Sequence, residues 1–416
     1  MIHSQLKERT VSSKLRTLWL LAFVLFLFST LSLVVVGQDN VDRSKALQLY
    51  KDGKYLEALP LFEKLEKSYP NDPLILETYG LVVYSQTAIL KDAAGRKEAR
   101  RRARELFVRA LDAGANSPLA KSMVETIPPD GGADVGFSAK KEVDEAMKGG
   151  EEAFAKGDFP RAIEMYQKAL ILDPQMYEAA LFTGDVYYKS AEQRKAGEWF
   201  AKAVAINPDR ETAYRYWGDS LMKQGRVTEA GDKFVEAFIA EPYNRLARAG
   251  IVQWAQKVSI QLAHPKVDIP TSVNSKGDGS TTINLDPNSL KKDDKSGSGA
   301  AWMIYGLIRA SWVSSEFAKQ YPKEKAYRHS LKEESAAIRS ALKVLSEQKN
   351  SEPAQVDPSL QVLARLDKEG LLESFILLAM VDQGIAQDFV AYRKENVDKL
   401  RRYVVDYVMT GGAGKN

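Results

Sequence analysis

The chain has 416 residues, 44% of them apolar and 27% charged, which suits more than one cored unit and rules out wholesale disorder. The formal charge is only +4, and Lys7, Arg9, Lys14 and Arg16 oppose Glu8 alone in residues 1–37, so the surplus gives little support to nucleic-acid binding. Cysteine is absent, which excludes disulfides, thiol catalysis and cysteine zinc sites, and three histidines (His3, His264 and His329) are too few for a histidine-rich metal site.

Residues 1–16 are polar and positive, and Thr17 to Val36 are almost continuously apolar. Residues 1–37 are therefore a signal peptide or a transmembrane anchor. Val35-Val36-Gly37 suits cleavage, and the 20-residue apolar length suits retention. In both cases the positive end stays inside and residues 38–416 are exported, periplasmic or membrane-anchored by 17–36.

A period of 34 residues runs through the next part of the chain. Pro174, Pro208 and Pro242 keep it, as do Gly150, Gly184 and Gly218. Ala162, Ala196 and Ala230 follow the same spacing, with Tyr166, Phe200 and Phe234 as the aromatic member. The pattern resembles the tetratricopeptide repeat, a helix–turn–helix unit. In such a unit glycine and alanine let two helices approach, the aromatic fills the hole between repeats, and proline ends the second helix. Gly157-Asp158 and Gly225-Arg226 supply the turns.

The units fall at 143–176, 177–210 and 211–244, and residues 39–72 fit the same frame through Gly53, Tyr55, Ala58, Phe62 and Pro70. A fifth begins at Pro73, with Tyr84 at position 12 and 11 residues inserted between its helices. The expected fold is all-α: a tetratricopeptide-repeat solenoid, a small β-hairpin and linker, then a C-terminal helical domain. Its parts are two degenerate units with an insertion (38–126), a Pro/Gly linker (127–142), three units with a capping helix (143–262), hairpin and flexible polar linker (263–300) and helical residues 301–416, broken by a proline-containing segment at 351–358. The hairpin is read from two alternating runs around Gly277-Asp278-Gly279.

No nucleotide, hydrolase or metalloprotease motif appears, so the expectation is no catalysis, no cofactor and no metal. His329 and Glu333, four apart, could face one metal or substrate with Glu316 or Asp382, or form an ordinary helix pair. A basic run (Arg96, Lys97, Arg100, Arg101, Arg102, Arg104) suits anionic lipid, an acidic partner or plain solvation.

The resemblance implies a ligand groove lined by the first helix of each unit. Position 9 there is acidic in all three units: Glu151, Asp185 and Asp219. Leu181 and Arg215 stand at position 5, and Phe154, Tyr188 and Met222 at position 12. These eight are the candidate site, suited to a protein or peptide with basic residues and apolar anchors. The competing expectation is that the acids pair with Lys189 and Lys223, one turn on. The functional reading is a non-enzymatic exported scaffold, extending to cell-envelope assembly, with no nucleic acid and with membrane contact through an uncleaved leader. The alternative is an enzyme with a catalytic C-terminal helical domain to which the repeats recruit substrate.

Overall fold

The computed structural model describes residues 41–133, 136–275, 281–287, 296–347, 356–412 and 414. The leader, the hairpin turn at 277–279, most of the flexible linker before 300 and most of the break at 351–358 lie outside the described residues. No described helix is long and apolar enough to cross a membrane. The chain divides into two compact units between Asn207 and Pro208, inside the stretch that the repeat period groups together.

In the first unit residues 41–51 form α1, followed by α2 (Tyr55–Ser68), α3 (Pro73–Ser85), α4 (Ala93–Asp112), α5 (Pro118–Thr126), α6 (Lys141–Ala155), α7 (Phe159–Leu172), α8 (Tyr177–Lys189) and α9 (Gln193–Ile206). The helices pack as neighbouring pairs, α3 with α4, α6 with α7 and α8 with α9. Small residues decide how closely. A Cβ on Gly150 would sit 2.3 Å from the Tyr166 ring, and one on Gly184 2.5 Å from the Phe200 ring. The degenerate unit repeats the arrangement, with Gly80 against Phe107 at 2.9 Å. This contact survives the insertion because the extra residues form a short 3-10 turn, Gln86–Ala88, and lengthen α4 at its start. The turns need a left-handed residue, and Gly53 and Gly157 supply it at φ +74° and +76°. In the next unit Ala191 holds that position at φ +61°, without glycine's freedom.

The basic run is an internal clamp. Arg100 donates to the carbonyls of Gly131 and Gly132, Arg104 to that of Ile127, and Lys97 pairs with Asp130 at 2.8 Å. Arg102 pairs with Glu66, and Arg101 with Glu98. The arginines thus hold the proline- and glycine-containing segment 127–132 along α4, and lipid need not be invoked for them.

The second unit opens with α10 (Glu211–Lys223), α11 (Val227–Ala240) and α12 (Arg245–Lys257). β1 (Thr271–Ser275) and β2 (Thr281–Leu285) follow, antiparallel with Val273 opposite Ile283, and form the one sheet among the described residues. Next come α13 (Ser298–Ser311), a π-helical turn at Trp312–Glu316, α14 (Phe317–Gln320), α15 (Leu331–Glu347), α16 (Pro358–Lys368), α17 (Leu372–Ala379), α18 (Gln383–Ala386) and α19 (Phe389–Asp406). Gly218 meets Phe234 as its counterparts do, and the indole of Trp254 on α12 lies where a Gly231 Cβ would be.

The last repeat and the C-terminal helices share one core, running from Phe234, Phe238 and Ile239 through Trp254 and Trp302 to Phe375 and Tyr403. Arg393, 8% exposed, bonds the carbonyls of Ile239 and Pro208 at 2.8 Å each and pairs with Asp209. Ile239 is fully buried as a result, whereas Ile171, its equivalent one helix pair from the start of the regular repeats, is 81% exposed. The C-terminal region therefore closes the end of the repeat array, a role shared with the expected capping helix.

Candidate functional site

Within the first unit the position-9 acids lie among aromatic rings. Glu151 on α6 is half-buried and accepts a hydrogen bond from the Tyr166 hydroxyl at 2.6 Å. Burial pushes its carboxyl up, and the tyrosine bond opposes that. Asp185 on α8 is half-buried too. Its charge and that of Glu151 reach Tyr55 on α2, whose hydroxyl is pushed far up by burial first, then by Tyr50 and the two acids.

Lys189, one turn beyond Asp185, places its ammonium 5.2 Å from the Tyr50 ring centre and 5.6 Å from that of Tyr55. Tyr84 at the end of α3 is 37% exposed. Burial raises its hydroxyl, Arg100 opposes this and Glu151 adds to it. Phe154 lies 6.1 Å from Tyr55 and 5.8 Å from Phe159, packed against the core of helices α1–α5. Leu181 is only 4% exposed and offers little surface, while Tyr188 is half-buried.

The structure thus adds Tyr50, Tyr55 and Tyr84 to the residues picked from the sequence. Tyr84 carried a signal, since it stands at position 12 like Phe154 and Tyr188. Tyr50 carried the same signal, since it is position 12 of the unit at 39–72, whereas Tyr55, at position 17, carried none because the repeat frame assigns it to packing within its own unit.

In the second unit the third acid has other neighbours. Arg215 forms a two-point ion pair with Glu211, at 2.8 and 3.1 Å, and its guanidinium lies 4.7 Å from the Tyr216 ring centre. Burial raises the Asp219 carboxyl to about 6, opposed by the charges of Arg215 and Lys223. Met222 is half-buried against the core shared with the C-terminal helices. The charge of Lys223 thus bears on the acid one turn before it, and Lys189, one turn beyond Asp185, lies over the two tyrosine rings.

A polar cluster the sequence did not resolve lies between α13, α15 and α18. Glu333 and Glu334 are fully buried, and Arg309 bonds both, at 2.6 and 3.0 Å. Tyr305 donates to Glu334 and Tyr327 to Glu333. His329 bonds Glu334 at 2.8 Å and Asp382 at 2.6 Å, so its acidic partner on the helix is five residues on, and the expected pairing with Glu333 is not made. Glu316 is engaged with Lys319 and Gln320 instead. His329 is raised above its ordinary value: burial pulls it down, but the bonds to Glu334 and Asp382 outweigh that.

The tetratricopeptide-repeat family profile matches residues 147–211. The chain is similar in fold to the Sgt2 TPR domain from Aspergillus fumigatus, at 19% identity over 34% of this chain and 95% of that one, TM-score 0.28. It is similar to the TPR2AB domain of yeast Sti1 in its pHSP90 complex, at 14% identity, 54% and 99% coverage and TM-score 0.28. A thermophilic TPR protein of Thermus thermophilus matches at 19% identity, 53% and 100% coverage and TM-score 0.24. No curated protein matches the chain.

Proposed function

From a chain that carries tetratricopeptide repeats, we propose a non-catalytic scaffold that binds segments of other proteins on the inner face of its first unit. The observation that carries this is the placing of two half-buried carboxylates, Glu151 and Asp185, among Tyr50, Tyr55, Tyr84 and Tyr188. Carboxylates set into aromatic surface suit a segment with Lys or Arg between apolar anchors. The rings supply most of the affinity, and the charges govern encounter and orientation. The positive, then apolar, leader supports the further reading that residues 38–416 work beyond the cytoplasmic membrane, in envelope assembly, released or anchored.

A photo-crosslinking amino acid in place of Tyr188 in the full chain tests this in the living cell. A discrete adduct at 188, absent when the same group replaces the exposed Lys202, is the expected result. Equal yields at both places would contradict it.

A further inference from the structure

The inner face already holds one basic group, and this shows which chemistry it accepts. The Lys189 ammonium lies over the rings of both Tyr50 and Tyr55, at 5.2 and 5.6 Å from their centres, a spacing at which a ring face attracts a cation. The charges of Asp185 and Glu151 bear on the same Tyr55 ring. Tyr50 and Tyr55 come from the end of α1 and the start of α2, and Lys189 from the end of α8, so the arrangement is a tertiary one and not a helix pair. Of the other lysines that stack on rings, Lys195 on Tyr187 and Lys202 on Trp199 do so within one local stretch, at 5.2 and 4.7 Å, and Lys233 on Trp217 does so between the two helices of one repeat, at 4.0 Å, whereas Lys189 reaches rings from a different repeat.

We propose that Tyr50, Tyr55, Asp185 and Glu151 form a binding site for a primary ammonium, occupied at rest by Lys189 and taken over by a lysine side chain of the bound segment. This rests on the binding role proposed above and gives it a chemistry. The partner presents a lysine flanked by apolar residues, and Lys189 competes with it. Competition by a tethered group weakens every ammonium ligand by the same factor, so removing Lys189 strengthens binding. The gain corresponds to one ring–cation interaction, about two- to thirtyfold in half-saturating concentration.

The test uses full-length protein labelled with 3-fluorotyrosine and two small probes: Nα-acetyl-lysine methylamide and the same molecule acetylated at Nε. The fluorine signals of Tyr50 and Tyr55 are assigned by single Tyr→Phe changes. Lys189→Met is expected to lower the half-saturating concentration of the charged probe at these two signals by about two- to thirtyfold. The acetylated probe is expected to move neither. If both probes act alike, or if Lys189→Met changes nothing, the rings merely cover the lysine stem and the proposal is wrong. Should Lys189→Met fail to fold by circular dichroism, Tyr50→Leu in the wild-type background decides, since it must raise the charged probe's half-saturation and an unchanged value overturns the site. The probes carry no peptide sequence. Their failure therefore removes the ammonium site without touching the crosslinking result, and the reverse also holds.

Discussion

Two adjacent glycines on α6 allow the repeat packing to be tested with helix propensity held constant. Replacing Gly149 or Gly150 with Ala removes the same backbone freedom, worth about 1 kcal/mol in favour of the helix. The new methyl groups meet different surroundings. At Gly149 the nearest atom is the Met165 methyl at 2.8 Å, the far end of a flexible side chain that can swing away. At Gly150 the methyl would lie 2.3 and 2.5 Å from two ring carbons of Tyr166. That ring is 1% exposed and its hydroxyl is tied to Glu151, so it has no room to retreat. Ordinary carbon contacts are about 3.5–4.0 Å, so relief requires roughly a 1 Å shift of ring or helix. Overpacking of this kind costs about 1–3 kcal/mol. Gly149→Ala is expected to slow amide exchange across 141–172, and Gly150→Ala to speed it, the two differing by about 1–3 kcal/mol in opening free energy. Peptide-resolved hydrogen exchange on the full chain reads this without assuming that two units unfold together. Equal exchange in the two variants would refute the small-residue contact.

Ala191 holds a left-handed turn where its counterparts are glycine, so Ala191→Gly should stabilise the α8–α9 pair by about 0.5–1 kcal/mol, the backbone strain relieved less the added chain entropy; faster exchange in 177–206 would count against it. Asp219 binds its proton more tightly in the folded state, at about 6 against an ordinary 3.8, so its charge lowers stability as pH rises through that window. Asp219→Asn should therefore raise stability by about 1–2 kcal/mol at pH 8, allowing for partial exposure, and by nothing at pH 3, with thermal melts at the two pH values as the check. Arg393→Met strips buried carbonyls of their donor and should cost about 2–3 kcal/mol, seen as faster exchange over α11; unchanged exchange there would mean that the C-terminal helices do not close the last repeat.

Local rules made the repeat legible. Gly150, Gly184 and Gly218 announce close helix contact, their aromatic partners stand 16 residues on, and turn glycines separate the helices. The hairpin was equally plain, since apolar residues alternate along the runs that hold its strands, at Val267, Ile269 and Val273 and at Ile283 and Leu285. What escaped is held together by long-range polar contacts. Glu333 and Glu334 look like two solvated acids on an amphipathic helix, and it takes Arg309, 24 and 25 residues away, together with Tyr305, Tyr327 and His329, to make their burial tolerable. The arginines of α4 look like a ligand surface until their carbonyl acceptors at 127–132 are seen, and acceptors of that kind leave no trace in a sequence. The burial of α11 had a faint signal. Val235, Phe238 and Ile239 widen its apolar face beyond what its own repeat can cover, which points to a further partner. The surroundings of Glu151 and Asp185 lay between these cases: the acids, Tyr50, Tyr84 and Tyr188 were readable from the period, and Tyr55, brought in from the start of α2, was not.

If the carboxylates of the first unit guide a basic protein segment onto an aromatic surface, their charge must show in the kinetics of encounter. The decisive quantity is the association rate of the full-length protein with the partner identified from the position-188 adduct, measured across a salt series. The isosteric pair Glu151→Gln with Asp185→Asn should slow association about tenfold at low salt and flatten its salt dependence, leaving dissociation nearly unchanged. An association rate and salt slope equal to those of the unaltered protein would contradict the guiding role of the two acids.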